Sequence, residues 1–271
     1  MRAIGVYSLD VKELPDGRVE LTRKFVDGMH RVVAGWPGSF SAVMAPRSGP
    51  DTNLDQQPFE RAALPFELVV KDARDPTLVD VLRGAAVVVL GADYRHVATA
   101  RLCRALAVPY IVVAEYNLKT RLQIADAEVQ RVDRRMRRMV WELLQEARSR
   151  TMIAEADGLQ CNGTPTFEGW GQLSRDPMLY FDTRVSADML ASDDDVKRRG
   201  MGDVLELAFS GRMIAMKGVL HLVDVAQHLR ELGVKFVLRI FGAGALEDEM
   251  KRRAAAARLG DVVVFEGVLA F

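Results

Sequence analysis

The segment Phe209-Ser210-Gly211-Arg212-Met213-Ile214-Ala215-Met216-Lys217-Gly218 brings together residue types that bind anions. An apolar run ends at a glycine, an arginine follows directly, and a lysine comes five residues later. The pattern predicts a buried strand up to Gly211 and a helix beginning after Gly218. Backbone N–H groups, a helix N-terminus and two cations would then meet at the C-terminal end of a parallel strand. Each of these favours an anion, and open α/β sheets take their ligands at that edge. Arg212 can grip phosphate oxygens with a planar fork, while Lys217 supplies a mobile point charge. Spacing alone leaves two readings open, a phosphate site and a pair of solvated loop charges.

Two further strand ends add to the first. Leu238-Arg239-Ile240-Phe241-Gly242-Ala243-Gly244 closes with Gly-x-Gly, where small residues allow a ligand close to the backbone. Phe265-Glu266-Gly267 puts a third glycine at the same rim. A dinucleotide fingerprint is not complete, because Glu247 stands where its third glycine belongs and no acidic residue follows in the usual context. An NAD-dependent oxidoreductase is therefore disfavoured.

The elements that must position these residues read as alternating strands and helices. In the first part, strands are expected at Ala3 to Tyr7, Phe40 to Met44, Phe66 to Val70, Ala85 to Leu90, Pro109 to Ala114, Gly158 to Asn162 and Met178 to Phe181. Helices are expected at Leu21 to Val33, Pro76 to Arg83, Tyr94 to Ala107, Leu118 to Ala154 with one break, and Thr164 to Leu173. Continuous apolar runs such as Ala85 to Leu90 suit strands of a parallel sheet, and their alternation with helices is a βαβ pattern. Ala45 to Leu64, rich in Pro, Gly, Asp, Asn and Gln, reads as a long surface loop. The fold class is α/β with two Rossmann-like domains, the second incomplete. Residues 1–190 form the first, residues 191–203 a linker without apolar period, and residues 204–271 the start of the second. That second part holds strands at Leu205 to Phe209, Lys235 to Phe241 and Asp261 to Phe265, with helices at Val219 to Leu232 and Leu246 to Leu259. Its apolar end, Val268-Leu269-Ala270-Phe271, just after a strand and a glycine, leads us to expect a chain cut from a longer polypeptide.

Composition excludes several classes. Thirty-seven basic residues balance thirty-seven acidic ones, so the excess of a general nucleic-acid binder is missing. Cys103 and Cys161 form no CxxC pair, and the four histidines, His30, His96, His221 and His228, are scattered. No metal site is expected. No charged segment precedes a long apolar stretch at the N-terminus, and no window reaches the roughly 20 apolar residues of a membrane span. The cytoplasm is the expected compartment.

Leu205 to Phe271 resembles the start of the C-terminal domain of family-4 (group 1) glycosyltransferases, which have the GT-B fold. The shared features stand in order: a strand and Gly-Arg, a Lys-Gly opening a helix, a strand ending in Gly-x-Gly, a helix, and a strand ending in Phe-x-Gly. The resemblance implies a nucleotide-diphosphate sugar donor and transfer with retention at the anomeric carbon. It makes Arg212 and Lys217 catalytic, neutralising the diphosphate leaving group, with no cofactor beyond the donor. Gly211, Gly242, Gly244, Glu266, Gly267 and Val268 would lie near the donor. The family's pair of glutamates separated by seven residues has no counterpart, so the chain is expected to be inactive or nearly so by itself. The first strand also runs into Tyr7-Ser8-Leu9-Asp10 instead of a glycine-rich loop. Where many members carry a histidine, this chain has Glu115-Tyr116-Asn117.

Other features bear on the acceptor. Glu115, Asn117 and Lys119 follow a buried strand and are acceptor-side candidates; solvated charges at a helix start are the equal alternative. Asn162-Gly163-Thr164 reads as turn and capping chemistry, and His96 as a helix-surface histidine. The arginines from Arg131 to Arg138 suggest peripheral contact with an anionic membrane face, in keeping with a glycan or lipid-linked acceptor. A solvated helix face with Arg138–Glu142 pairing, packed through Trp141, Leu143 and Leu144, is the favoured reading. A non-catalytic nucleotide or phosphate-binding module is the alternative to an enzyme.

Overall fold

The computed structural model describes residues 1–47, 49, 55–182, 185, 187–199 and 202–269. It divides into two compact units, one formed by Met1–Leu122 with Met136–Asp182, the other by Gln123–Arg135 with Thr183–Phe271. The first unit begins with β1 (Arg2–Glu13), β2 (Val19–Thr22), α1 (Arg23–Ala34), β3 (Ser39–Pro46) and β4 (Gln56–Phe59). It continues through β5 (Glu67–Val70), α2 (Leu78–Leu82), β6 (Val87–Gly91), α3 (Val97–Ala105) and β7 (Tyr110–Ala114). Then follow α4 (Leu118–Glu128), whose residues from Gln123 belong to the second unit, α5 (Val132–Ala154), whose residues up to Arg135 do so, and, again in the first unit, β8 (Gly158–Asn162), α6 (Thr164–Trp170) and β9 (Pro177–Tyr180).

Among the described residues, nine strands form one sheet, with the parallel order β5-β3-β1-β6-β7-β8-β9. Alternation of side chains across the strands builds two cores. Ile4, Val43, Leu90, Tyr110 and Leu159 face one side, with Leu78, Leu82 and Trp170 from the helices. Ala3, Ala42, Met44 and Leu68 face the other, closed by Val26 and Met29 of α1. Each fully buried Leu, Ile or Val contributes about 1.5–3 kcal/mol. Thr22 caps α1, its hydroxyl accepting from the Phe25 amide at 3.2 Å, which fixes where β2 hands over to helix.

Three sequence expectations change here. β1 does not stop at Tyr7 but runs to Glu13, where it pairs antiparallel with β2, which pairs in turn with β4. β4 lies inside the Ala45 to Leu64 stretch read as loop; residues 48 and 50–54 of that stretch lie outside the described residues. An edge strand with Pro58 is held by backbone pairing and gives no apolar alternation to read. The long helical stretch breaks once, as expected, into α4 and α5, but the outer face of α5 carries apolar side chains between its arginines. Leu143 and Leu144 are exposed, while Glu142, Gln145, Glu146 and Ser149 are buried. Leu143 and Leu144 therefore do not pack the helix on the domain. The buried acids are matched instead: Arg138 Nη2 lies 2.7 Å from Glu142, Arg121 bridges Glu142 and Glu146, and Trp170 Nε1 donates to Glu146 at 2.8 Å. A buried carboxylate is tolerated only with such partners.

The segment read as a linker contains α7 (Asp193–Arg199). Ser192 and Asp195 cap it reciprocally, the Ser192 hydroxyl accepting from the Asp195 amide at 3.2 Å and the Asp195 carboxylate accepting from the Ser192 amide at 3.1 Å. This is a capping box with aspartate as its acid. Residues 200 and 201 of that segment lie outside the described residues.

The second unit continues with β10 (Leu205–Ser210), α8 (Leu220–Glu231), β11 (Phe236–Phe241), α9 (Glu247–Ala256) and β12 (Val263–Gly267). Its three strands pair in parallel in the order β10-β11-β12. Val219, Val223 and Ala226 meet Leu238, Ile240, Met250, Ala254 and Leu259 in its core, with Met213 fully buried among them. Both sheets are parallel-dominated and α/β, as the alternating pattern requires. Residues 270 and 271, on which the reading of the apolar chain end partly rested, lie outside the described residues.

Candidate functional site

In the second unit the strand register puts Gly211, Gly242 and Gly267 at one rim. The Gly211 amide donates to Phe241 O at 3.0 Å, and the Gly242 amide to Gly267 O at 2.7 Å. The Met213 amide donates to Ala243 O at 2.8 Å, and the Leu246 amide to Met213 O at 3.0 Å. The loop after β10 is thus laced backbone to backbone across the end of β11. This lacing explains Gly-x-Gly. Gly242 has φ 127°, and a β-carbon there would be driven into the Gly211 carbonyl oxygen; at Gly244 it would stand 2.5 Å from Met213 O. The backbone that comes close to these glycines is the chain's own, where the sequence reading had put a ligand.

Arg212 sits between Gly211 and Met213, both pinned, and is half-buried. Ala215 to Lys217 form one 3-10 turn ended by Gly218 at φ 65°, and α8 starts directly afterwards. That helix has no side-chain cap and no acid in its first turn, so its first N–H groups and positive dipole end carry no internal anion. Neither Arg212 nor Lys217 has an ion-pair or hydrogen-bond partner for its side chain among the described residues. Neighbouring cations differ: Arg239 is held by Glu266 at 2.6 Å, Lys251 by Glu247 at 2.7 Å, Arg253 by Glu249 at 2.7 Å, and Arg230 by Asp261. Two cations without partners among the described residues, in the loop that leads to an uncapped helix start, make an arrangement that can neutralise an anion such as a phosphate. Glu266 is spent on Arg239, while Gly267 at φ 77° and the exposed Val268 continue the rim.

The acceptor-side candidates of the first unit have different fates. Asn117 Oδ1 accepts from the Thr120 amide at 2.9 Å and the Thr120 hydroxyl at 3.0 Å, and Asn117 Nδ2 donates to Pro165 O at 2.7 Å. Its polar atoms are committed to capping α4 and to holding the start of α6. Glu115 is exposed, and among the described residues only its carbonyl is engaged, by the Thr166 hydroxyl at 3.1 Å. Lys119 is exposed on the first turn of α4. Asn162 Oδ1 accepts from the Asp182 amide at 3.1 Å.

A polar cluster at the ends of β1 and β6 was not foreseen. His96 is not on a helix surface; it is 1% exposed. Its Nδ1 lies 3.0 Å from Gly91 O. A carbonyl can only accept, so Nδ1 carries the proton and Nε2 presents a lone pair, 3.4 Å from Ser8 Oγ. Burial pushes the His96 imidazole below its ordinary value of 6.5, which keeps it neutral. Ser8 Oγ also lies 3.2 Å from Asp93 Oδ2. Burial raises the Asp93 carboxyl, but hydrogen bonds from the Arg95 side chain and amide outweigh it and hold the group below the usual carboxylate range. The serine has one proton and two acceptors within reach, so it can satisfy only one of them at a time. Ser8 reaches this point because the register of β1 against β3 shifts between Val6 and Asp10. The sequence signal was Asp93-x-x-His96 directly after a buried strand.

A family profile described as "Glycosyl transferases group 1" matches residues 194–269. None of the curated proteins matches the chain in sequence. Among solved structures, the chain is similar to HepE of Anabaena in complex with UDP, with TM-score 0.63 and 10% identity over 100% of this chain and 70% of that one. Sucrose-phosphate synthase from Thermosynechococcus elongatus gives TM-score 0.58 and 14% identity over 99% and 70%. The lipopolysaccharide outer core galactosyltransferase WaaB in its apo form gives 0.57 and 11% over 100% and 69%. At such identities the likeness is one of fold, and the α/β architecture described above is the GT-B architecture of these proteins.

Proposed function

We propose that this chain takes part in glycosyl transfer from a nucleotide-diphosphate sugar, with retention at the anomeric carbon, as in family-4 enzymes. The observation that carries the reading is the pair Arg212 and Lys217, without side-chain partners among the described residues, in the loop between a strand end and an uncapped helix start. The match of residues 194–269 to the group 1 family supports it, as does the fold shared with a structure that binds UDP.

The chemistry follows from charge. As the bond between sugar and diphosphate breaks, negative charge grows on the departing phosphate. Cations aimed at that charge act more strongly on the transition state than on the bound donor, and so lower the barrier. Gly211, Gly242 and Gly244 serve by letting the loop lie flat on the sheet end, which fixes Arg212. Gly267 and Val268 extend the donor side. The acceptor is a hydroxyl compound, glycan or lipid-linked. We assign its binding to the first unit, through Glu115, Lys119 and the Ser8–Asp93–His96 cluster. No cofactor beyond the donor is called for.

The test is calorimetric titration with a nucleoside diphosphate, paired with an assay of donor consumption, on the chain and on Arg212→Ala with Lys217→Ala. Loss of diphosphate binding in the double variant supports the reading. Equal binding by the variant and the unaltered chain would sink it. Binding without donor consumption in a full-length chain would leave the alternative, a non-catalytic nucleotide-binding module.

A further inference from the structure

A helix on a protein surface normally turns its apolar residues inward and its charges to water. Over residues 136–149 of α5, in the first unit, the arrangement is reversed, while Met152 and Ile153 of the last turn pack inward in the usual way. At about 100° per residue, Met136, Val140, Leu143 and Leu144 share one face, and they are 58%, 52%, 52% and 61% exposed. Glu142, Gln145, Glu146 and Ser149 occupy the opposite face and are buried. Between residues 136 and 150 the only acids are these two glutamates. Both are turned away from water, toward Arg121, Arg138 and the Trp170 indole.

Over residues 136–150 the surface left outside is therefore apolar with a cationic border and no carboxylate, and Asp133, one turn earlier on the same face, is paired with Arg131. Helical spacing sets Arg137 and Arg148 on one flank of the stripe and Arg150 on the other. All three are exposed; Arg137 has no ion-pair partner among the described residues, Arg148 reaches only Gln145 Oε1 at 3.4 Å, and Arg150 stands 3.6 Å from Glu146. We propose that this face of α5 docks on a lipid surface bearing anionic headgroups. The four apolar side chains would enter the boundary between headgroups and acyl chains, and the long arginine stems would carry their charges back to the lipid phosphates. Charge complementarity selects this occupant. A second copy of the same face would set cation against cation, while anionic headgroups neutralise the whole border at once. The proposal does not rest on the glycosyl-transfer reading, since it uses neither Arg212 nor Lys217.

The experiment is co-sedimentation of the chain with vesicles of phosphatidylcholine alone and of phosphatidylcholine mixed with phosphatidylglycerol, without any nucleotide sugar. Binding to the mixed vesicles is expected to exceed binding to the neutral ones by about tenfold or more and to fall with added salt. Leu143→Ser with Leu144→Ser should weaken it by about tenfold or more. Arg137→Gln with Arg148→Gln should weaken it and flatten its salt dependence. Hydrogen exchange on the unaltered chain gives a readout free of variants: vesicles with phosphatidylglycerol should slow exchange along α5. The proposal is overturned by absence of binding to the mixed vesicles, by unchanged binding in the serine variant, or by unchanged α5 exchange. It is equally overturned if the chain is a dimer that the serine variant dissociates.

Discussion

The carbonyl oxygen of Gly211 occupies the space that a β-carbon on residue 242 would need. The two glycines belong to the ends of adjacent strands, and the contact is between main chains, so neither side can yield by turning a side chain. Gly242→Ala should destabilise the second unit by about 3 kcal/mol, from the φ of 127° and the collision together. Denaturant unfolding followed by far-ultraviolet circular dichroism checks it; an unchanged midpoint would mean that the loop is not held as described.

Arg212 and Lys217 should be separable in kinetics. Each alanine substitution is expected to lower the rate of nucleoside diphosphate release by about 100- to 1,000-fold, the loss typical of removing one donor to a developing anion. Lys217→Arg should retain part of the rate, because the charge survives. The measurement is steady-state release of diphosphate in a preparation that turns over donor.

Asn117 offers a contrast between capping and acceptor contact. Asn117→Ala should cost about 1 kcal/mol of stability through loss of the α4 cap, whereas Asn117→Asp and Asn117→Ser should keep most of it. Thermal melts of the three variants test this. A stability unchanged in Asn117→Ala would contradict the hydrogen bonds to Thr120.

His96 makes stability depend on pH in a stated direction. Its folded value lies below the unfolded one of 6.5, so the unfolded chain binds the proton first on acidification. The contribution is present above the unfolded value and is lost as pH falls through that value toward the folded one. Melting temperature should therefore decline below about pH 6.5, and His96→Gln should remove that part of the decline. An identical pH profile in the variant would place the dependence elsewhere.

Much of the fold was readable because buried parallel strands announce themselves. Val87 to Leu90 and Tyr110 to Ala114 are apolar throughout and each is followed by a helical stretch, and the sheet has them adjacent. In the same way Gly211-Arg212 and Lys217-Gly218 were legible from strand, glycine and cation spacing. What escaped was held by forces that leave no apolar period. β4 is stabilised by backbone pairing at an edge. α5 looks like an ordinary charged helix until its partners are known, since only Arg121 and Trp170 reveal that Glu142 and Glu146 face inward. Burial of His96 depends on Gly91 and Ser8, which lie five and eighty-eight positions away in the sequence. The glycines of Gly242-Ala243-Gly244 were seen, but the chain segment that demands them was not.

The long first strand has one more implication. It is gripped at its start by parallel neighbours, β3 and β6, and at its far end by the antiparallel β2. Ser8 lies in the stretch between, where pairing skips. Such a segment is braced from both directions, like a beam on two supports, and cannot swing as a loop would. Lengthening the turn between β1 and β2, around Asp16 and Gly17, should therefore leave the serine hydroxyl where it is, and the hairpin becomes the place where this unit can accept inserted residues at little expense to its polar cluster.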